Sequence, residues 1–275
     1  MTPGFRCKCG HEHFEACPNC LCPEPHEELL MVPTLMNGRW LIKLPSHRAY
    51  RPEWTTPPYW EEPRLAAMAD VIGPGDVVFD VGAEEADMTC LFASWGAEVV
   101  AIEPNFDVWP NMKAIFEANE LTHKVLLCYV GFAGDSIRFR PDWVAEHVTP
   151  LDGVWPACAS APVISDHGFM VIPERPDCPV ITIDRLAELV KPPTVITIDS
   201  EGSELTVLRG AYRTLLEHRP QVFVSVHQDL PFIDEKFPGD TGEKLAEYMR
   251  SLGYYGKDLA LDHELHQSWV HPEGR

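Results

Sequence analysis

Two strand-like runs in this chain end on carboxylates beside a glycine, the arrangement a small-molecule crevice in an open α/β sheet calls for. The first is Asp80-Val81-Gly82-Ala83, closing the apolar run of Val77, Val78, Phe79 and Val81. The second is Asp199-Ser200-Glu201-Gly202-Ser203-Glu204, which follows the run from Thr194 to Ile198. Short apolar runs of this kind mark strands buried on both faces, and a glycine at the exit lets the backbone turn where a Cβ would obstruct a ligand. In such sheets ligands bind outside the carboxyl ends of the strands. Acids placed there can order hydroxyls, balance a cation, take up a proton or hold Mg2+, which itself lowers a hydroxyl pKa. Asp199 and His227, the latter closing the run from Val222 to Val226, are the candidate bases. Asp199 is favoured, because the glycine beside Glu201 brings its loop close to ligands. The plainer alternative is that Asp199 and Glu201 cap the helix beginning at Glu204.

The spacing also narrows the ligand. About one crossover after Gly82, Val99 to Ile102 form another apolar run that ends on Glu103, a carboxylate placed to accept both hydroxyls of a ribose. A dinucleotide fingerprint needs further glycines, but Gly82 is followed by Ala83, Glu84, Glu85, Ala86 and Asp87. Those acids repel a pyrophosphate at the helix N-terminus and favour a cationic ligand. S-adenosylmethionine, with an adenosine, a sulfonium and no phosphate, meets both conditions. Phe132 or Ala133, after the run from Val125 to Val130, borders the adenine in such a fold. Tyr59, Trp60 and Glu61 either reach the same pocket or form an apolar lid on the sheet edge.

The elements that must hold these residues follow from periodicity. Leu65, Met68, Ala69 and Ile72 recur at helical spacing after Glu61, and Pro74-Gly75 stops that helix before the first strand. Further helices are predicted after Met88, after Trp109, from Asp184 to Val190, along Leu205, Leu208, Ala211 and Leu215, and from an Asp240/Glu243 capping-box-like start to Leu252. Tyr254 to Leu261 and Leu265 to Val270 read as a closing hairpin. His263 and His266 form an H-x-x-H pair without a third ligand nearby in sequence, and are not read as a metal site. Pro23 to Pro58, rich in proline and aromatics, reads as an irregular connector wrapped on the main domain. Pro141 to Pro179 reads as a long loop with a substrate-facing role.

Nine cysteines are unevenly placed, five of them between Cys7 and Cys22. Cys7, Cys9, Cys17 and Cys20 are the preferred ligands of a tetrahedral Zn2+, with Cys22, His11 and His13 as alternatives. So short a segment has little apolar content, and ligation worth on the order of 10 kcal/mol would be its main source of order. A flexible tail with reduced cysteines is the alternative. Asp and Glu number 42 against 22 Lys and Arg, a formal charge of -20. Such a surface repels phosphate backbones and anionic membranes, so nucleic acid is a poor first choice of partner. With no apolar run of about 18 residues and no signal-like N-terminus, a cytoplasmic protein is expected.

Taken together, Pro74-Gly75-Asp76, Asp80-Val81-Gly82-Ala83, Glu103-Pro104-Asn105, Ile198 to Glu204, Val207 to Ala211 and Arg219-Pro220 resemble the FkbM-type S-adenosylmethionine-dependent methyltransferases. The resemblance runs from about Glu61 to Pro272 and leaves out the cysteine cluster. It implies a Rossmann-like class I methyltransferase fold, with a seven-stranded, mostly parallel sheet of order 3-2-1-4-5-7-6. It also implies methyl transfer, usually to a hydroxyl oxygen of a small molecule or glycan. By position, Asp80, Gly82 and Ala83 would line the methionine end of the donor, Glu103 would hold the ribose, and Asp199, Glu201 and Glu204 would border the methyl group. Glu84 and Ala86 stand where Asn and Gly are commoner, which would narrow the donor pocket, and Ser225 stands where an acid often precedes the last His. The organisation expected is a zinc knuckle over 1–28, a connector over 29–60 and a methyltransferase domain over 61–275. The competing reading is a non-catalytic adaptor on a degenerate fold, binding a protein partner through the knuckle.

Overall fold

The computed structural model describes residues 30–103, 108–121, 125–128, 182–200, 202–227 and 241–274, together with the backbone of 5–6 and 12–13; for 109–110 and 125–128 it describes the backbone alone. Strands β1 (Phe5–Arg6) and β2 (Glu12–His13) pair antiparallel. A hairpin follows, β3 (Met31–Met36) and β4 (Trp40–Pro45), where an irregular connector was expected. Its turn places Asn37 at φ +48° and Gly38 at φ +65°, closed by the Arg39 N–H donating to the Met36 carbonyl. Positive φ at both central residues is what Asn-Gly supplies most readily, and that local signal prevails over the surrounding prolines. The hairpin is bound to the main domain: Met36, Ile42 and Leu44 are buried in its core, and the Asn119 amide exchanges two 2.8 Å hydrogen bonds with the Lys43 backbone.

Short helices α1 (Ser46–Ala49) and α2 (Pro52–Thr55) lead to α3 (Glu62–Ala69), which buries Arg64, Leu65 and Met68. The chain then alternates strand and helix: β5 (Val77–Val81), α4 (Asp87–Ser94), β6 (Glu98–Ile102), α5 (Trp109–Ala118) and β7 (Val125–Cys128). After α6 (Ile183–Leu189) come β8 (Val195–Ile198), α7 (Glu204–Arg209), α8 (Tyr212–Glu217), β9 (Gln221–Val226), α9 (Gly242–Ser251) and the hairpin β10 (Tyr255–Leu261) and β11 (Leu265–Val270). The helix expected through Leu215 is divided into α7 and α8 at Gly210-Ala211. At α9 the N-cap is Thr241, whose hydroxyl accepts from the Lys244 N–H at 3.2 Å, in place of the expected Asp240/Glu243 box.

The main sheet has the order β10-β11-β9-β8-β5-β6-β7, parallel from β9 to β7 and antiparallel at the β10–β11 edge. Strand order reverses between β5 and β8, and the crevice at such a switch point is where open sheets bind ligands. Alternate residues serve opposite cores. Val78, Val99 and Val195 pack with the first hairpin, α3, α4 and α5, while Val77, Phe79, Val81, Ile196 and Ile198 pack with α6 to α9. Burial on both faces explains why β5 reads as a continuous apolar run interrupted by Asp80 alone. Among the described residues no helix is long and apolar enough to cross a membrane.

Candidate active site

At the exit of β5 the sequence reading of Gly82 has a direct geometric cause. Its φ is +81°, and a Cβ added there would lie 1.7 Å from the Asp199 carbonyl oxygen, so the two strand exits meet backbone to backbone. The N–H groups of Gly82 and Ala83 both donate to the Ile102 carbonyl, at 2.9 and 3.2 Å. The Glu84 N–H donates to Glu103 Oε2 at 2.8 Å, which fixes the buried Glu103 carboxylate at the end of β6. Asp80 is buried below them and accepts from Thr197 Oγ1 at 2.6 Å and from Thr89 Oγ1. Burial raises its pKa above the ordinary carboxylate value, although both hydroxyl bonds oppose that.

The acids after Gly82 have partners within the chain. Arg48 of α1 donates to both Glu84 oxygens, at 3.1 and 2.8 Å, and through Nε and Nη2 to Asp87 Oδ2 at 2.8 and 2.5 Å. Glu85 meets His47 at 2.6 Å and Asn111 at 3.0 Å. Arg48 and His47 of α1 thus contact all three acids, but one guanidinium against three carboxylates leaves the negative excess on which the expectation of a cationic ligand rests. Glu84 is held by Arg48 and its side chain is mostly exposed.

Asp199 lies just beyond β8. Its Oδ2 accepts from Arg64 Nη1 and from Ser225 Oγ, each at 3.1 Å, and His227 Nε2 stands 3.6 Å from its Oδ1. Arg64, fully buried on α3, also donates to Glu61 Oε2 at 2.6 Å. His227 Nδ1 contacts Glu204 Oε1 at 2.9 Å, and its Nε2 contacts Glu264 Oε2. Glu204 Oε1 further accepts from the Gly202 and Ser200 N–H groups at 2.9 and 3.3 Å, so that buried carboxylate shapes the loop after β8. Burial alone would lower the His227 pKa, but the bonds to Glu204 and Glu264 and the nearby carboxylates raise it to about 11. Burial works against Glu264 ionising, yet His227 holds its pKa down at about 2.

Arg64, Glu264, Asp262 and His266 did not emerge from the sequence as site residues. The pairing Leu265↔Val226 sets the β10–β11 turn beside the end of β9, and this register delivers Asp262, His263 and Glu264 to the crevice edge. Ser225, read as a missing acid, has His266 Nδ1 at 3.0 Å as well as Asp199. Trp60 covers the His263 ring at 4.6 Å between centroids. Of the other residues singled out, Glu201, Phe132, Ala133, the loop from Pro141 to Pro179 and the ligand set Cys7, Cys9, Cys17 and Cys20 lie outside the described residues.

Residues 80–255, more than half of the chain, match the family described as the Methyltransferase FkbM domain. The chain belongs to the FkbM methyltransferase family. S-adenosylmethionine is the donor that the family implies, and the residues present are compatible with it: a buried carboxylate, Glu103, follows β6, and the β5 exit lacks the repeated glycines of a phosphate site. Solved structures similar to this FkbM chain include a precorrin-6y C5,15-methyltransferase from Geobacter metallireducens, 11% identical, covering 78% of this chain and 88% of that one with a TM-score of 0.45. An FkbM methyltransferase from Methylobacillus flagellatus is 20% identical, covering 71% of this chain and 43% of that one with a TM-score of 0.39. A precorrin 8w decarboxylase from Methanobacterium thermoautotrophicum is 16% identical, covering 80% and 94% with a TM-score of 0.40. No curated protein sequence matches the chain.

Proposed function

We propose that this FkbM-family chain methylates a hydroxyl oxygen of a small molecule or saccharide, with Asp199 as the general base. The observation that carries this reading is the contrast among four clustered acids. The side chain of Asp199 is 32% exposed, while those of Glu61, Glu204 and Glu264 are 3%, 0% and 6% exposed. Only the partly open carboxylate can meet an incoming hydroxyl. His227, the other candidate base, faces a carboxylate through each ring nitrogen and is protonated at neutral pH, so it has no lone pair to offer. It positions Asp199 and Glu264 instead.

When bound, S-adenosylmethionine supplies an electrophilic methyl group on its sulfonium. Glu103 would hold the ribose, Asp80, Gly82 and Ala83 would line the methionine end, and Phe132 or Ala133 would border the adenine. Arg64 and Ser225 fix Asp199 Oδ2, leaving Oδ1 without a hydrogen bond among the described residues and available for the acceptor's proton. Most of the acceleration in such an in-line displacement comes from alignment, with proton removal added to it. We further assign Cys7, Cys9, Cys17 and Cys20 to a structural Zn2+ whose knuckle offers a surface to a protein partner.

Titration calorimetry with S-adenosylmethionine tests the reading directly. Wild type should bind, and Glu103→Ala should lose most of that affinity while remaining folded. A folded wild-type chain that takes up no donor would overturn the assignment.

A further inference from the structure

We propose that Glu61, His263, Glu264 and His266 form a binding site for one divalent transition-metal ion of the zinc class, joining the β10–β11 turn to the start of α3. One donor atom from each lies within 4.8 Å of all the others. Glu264 Oε1 stands 3.3 Å from His263 Nε2 and 3.8 Å from His266 Nδ1, and Glu61 Oε1 stands 3.9 Å from His263 Nε2. The two longer separations exceed hydrogen-bond length. The shortest matches the roughly 3.3–3.4 Å between neighbouring ligands of a tetrahedral zinc with bonds of about 2.0–2.1 Å, and the two longer ones would have to close by about 0.5 Å around an ion.

The surroundings of the two imidazoles carry the argument further. Asp262 Oδ1 lies 2.8 Å from His263 Nδ1 and 3.1 Å from His266 Nε2. His266 Nε2 donates to that oxygen, which leaves the His266 Nδ1 lone pair on the side of Glu264, while His263 Nδ1 stands beside it at ion-pair distance. A histidine bound to metal characteristically donates its other N–H to a carboxylate in this way. The same Asp262 oxygen accepts the His263 backbone N–H at 2.6 Å, so the turn itself fixes it. Ser225 Oγ, 3.0 Å from His266 Nδ1, has one proton to give and also faces Asp199 Oδ2 at 3.1 Å, so it can leave Nδ1 to a metal.

Charge points the same way. Arg64 is engaged by Glu61 Oε2 and Asp199, and His227 by Glu204 and Glu264 Oε2. Among the described residues these four acids face two cations, and the remaining oxygens of Glu61 and Glu264 have no hydrogen bond there. A divalent ion closes that balance. Two nitrogen and two oxygen donors suit zinc better than Mg2+ or Ca2+, which take oxygen alone. The side chain of His263 is 45% exposed, which gives the ion a way in. The group formed by Asp199, His227 and Glu264 is set aside, since both nitrogens of His227 already face carboxylates.

The test uses the full chain stripped of metal with a chelator and titrated with Co2+, whose spectrum separates this site from any thiolate site in the cysteine-rich extension. We expect one equivalent to develop visible bands with no thiolate-to-cobalt charge transfer, and Zn2+ to displace it. His263→Ala, an exposed substitution that leaves the core intact, should weaken that equivalent by at least about 100-fold, and Asp262→Asn by roughly 10–100-fold. His263→Asn, read with a circular dichroism check of folding, guards against a variant-specific artefact. A wild-type chain whose bound cobalt is entirely thiolate-ligated, or an unchanged titration in both His263 variants, overturns the proposal. Donor calorimetry on the same samples reports separately on methyl transfer, and metal binding stands or falls without it.

Discussion

Arg48 and Arg64 are both buried and each holds two carboxylates, but they do so in different ways. Arg48 uses its whole fork: Nη1 and Nη2 take the two oxygens of Glu84, while Nε and Nη2 converge on Asp87. Arg64 reaches both Glu61 and Asp199 through Nη1, and its Nε has no partner among the described residues. The first network engages every guanidinium nitrogen, and it fastens α1 to the N-terminus of α4, where negative charge is favoured. The second leaves Arg64 Nε unused among the described residues and Asp199 part-open. A network that engages the whole guanidinium fork around buried groups holds the fold together, whereas one that ends on a part-exposed carboxylate can meet a ligand.

That contrast can be broken from either side. Asp199→Ala should lower turnover about 100- to 10,000-fold, the usual contribution of a positioned base, measured with an acceptor found by screening small hydroxyl compounds. Its stability should stay within ~1 kcal/mol of wild type, because Arg64 keeps Glu61 and the substitution relieves an acid-rich cluster. Turnover within a few-fold of wild type would remove Asp199 from the chemistry. Arg48→Met should do the reverse. Removing one partner from a buried ion pair costs about 3–5 kcal/mol, a large share of a domain's usual 5–15 kcal/mol. Urea unfolding should show that loss, and the protein that remains folded should keep its donor affinity. A loss under ~1 kcal/mol would mean that the network on Arg48 is not what holds α1 in place.

The same contrast explains what could be read in advance. The buried strands announced themselves as apolar runs, and Gly82 and Asp199 stood in local motifs at their ends, because strand burial and tight turns are written in neighbouring residues. The first hairpin was legible in principle through Asn37-Gly38, but the prolines around it pointed to irregular chain. Arg64 was not legible: 135 positions separate it from Asp199, and a lone Arg in an amphipathic helix ordinarily faces solvent. The Asp262-His263-Glu264 turn was visible as residue types, yet its role depends on the register of β11 against β9 and on Glu61, two hundred positions away. Ser225 looked like a loss because the sequence does not show that His266 stands beside it.

Asp80 is the limiting case, an acid with no ion-pair partner among the described residues, held by two threonine hydroxyls. Burial raises its pKa above the ordinary 3.8. A carboxyl whose folded value is raised is bound to its proton more firmly in the native state. Its contribution to stability is complete below the unfolded value and is lost as pH rises through the folded one. Asp80→Asn removes that titration while filling the same space, since a threonine hydroxyl can turn to accept from the amide. The variant should therefore melt higher than wild type at neutral pH, and the difference should shrink as pH falls toward the ordinary carboxylate range. Thermal melts across that interval decide it: a difference that does not change with pH would mean that Asp80 ionises without strain. If Asp80 also lines the methionine end of the donor, the stabilised variant should bind S-adenosylmethionine more weakly, because an acid left in so costly a position is one that the site uses.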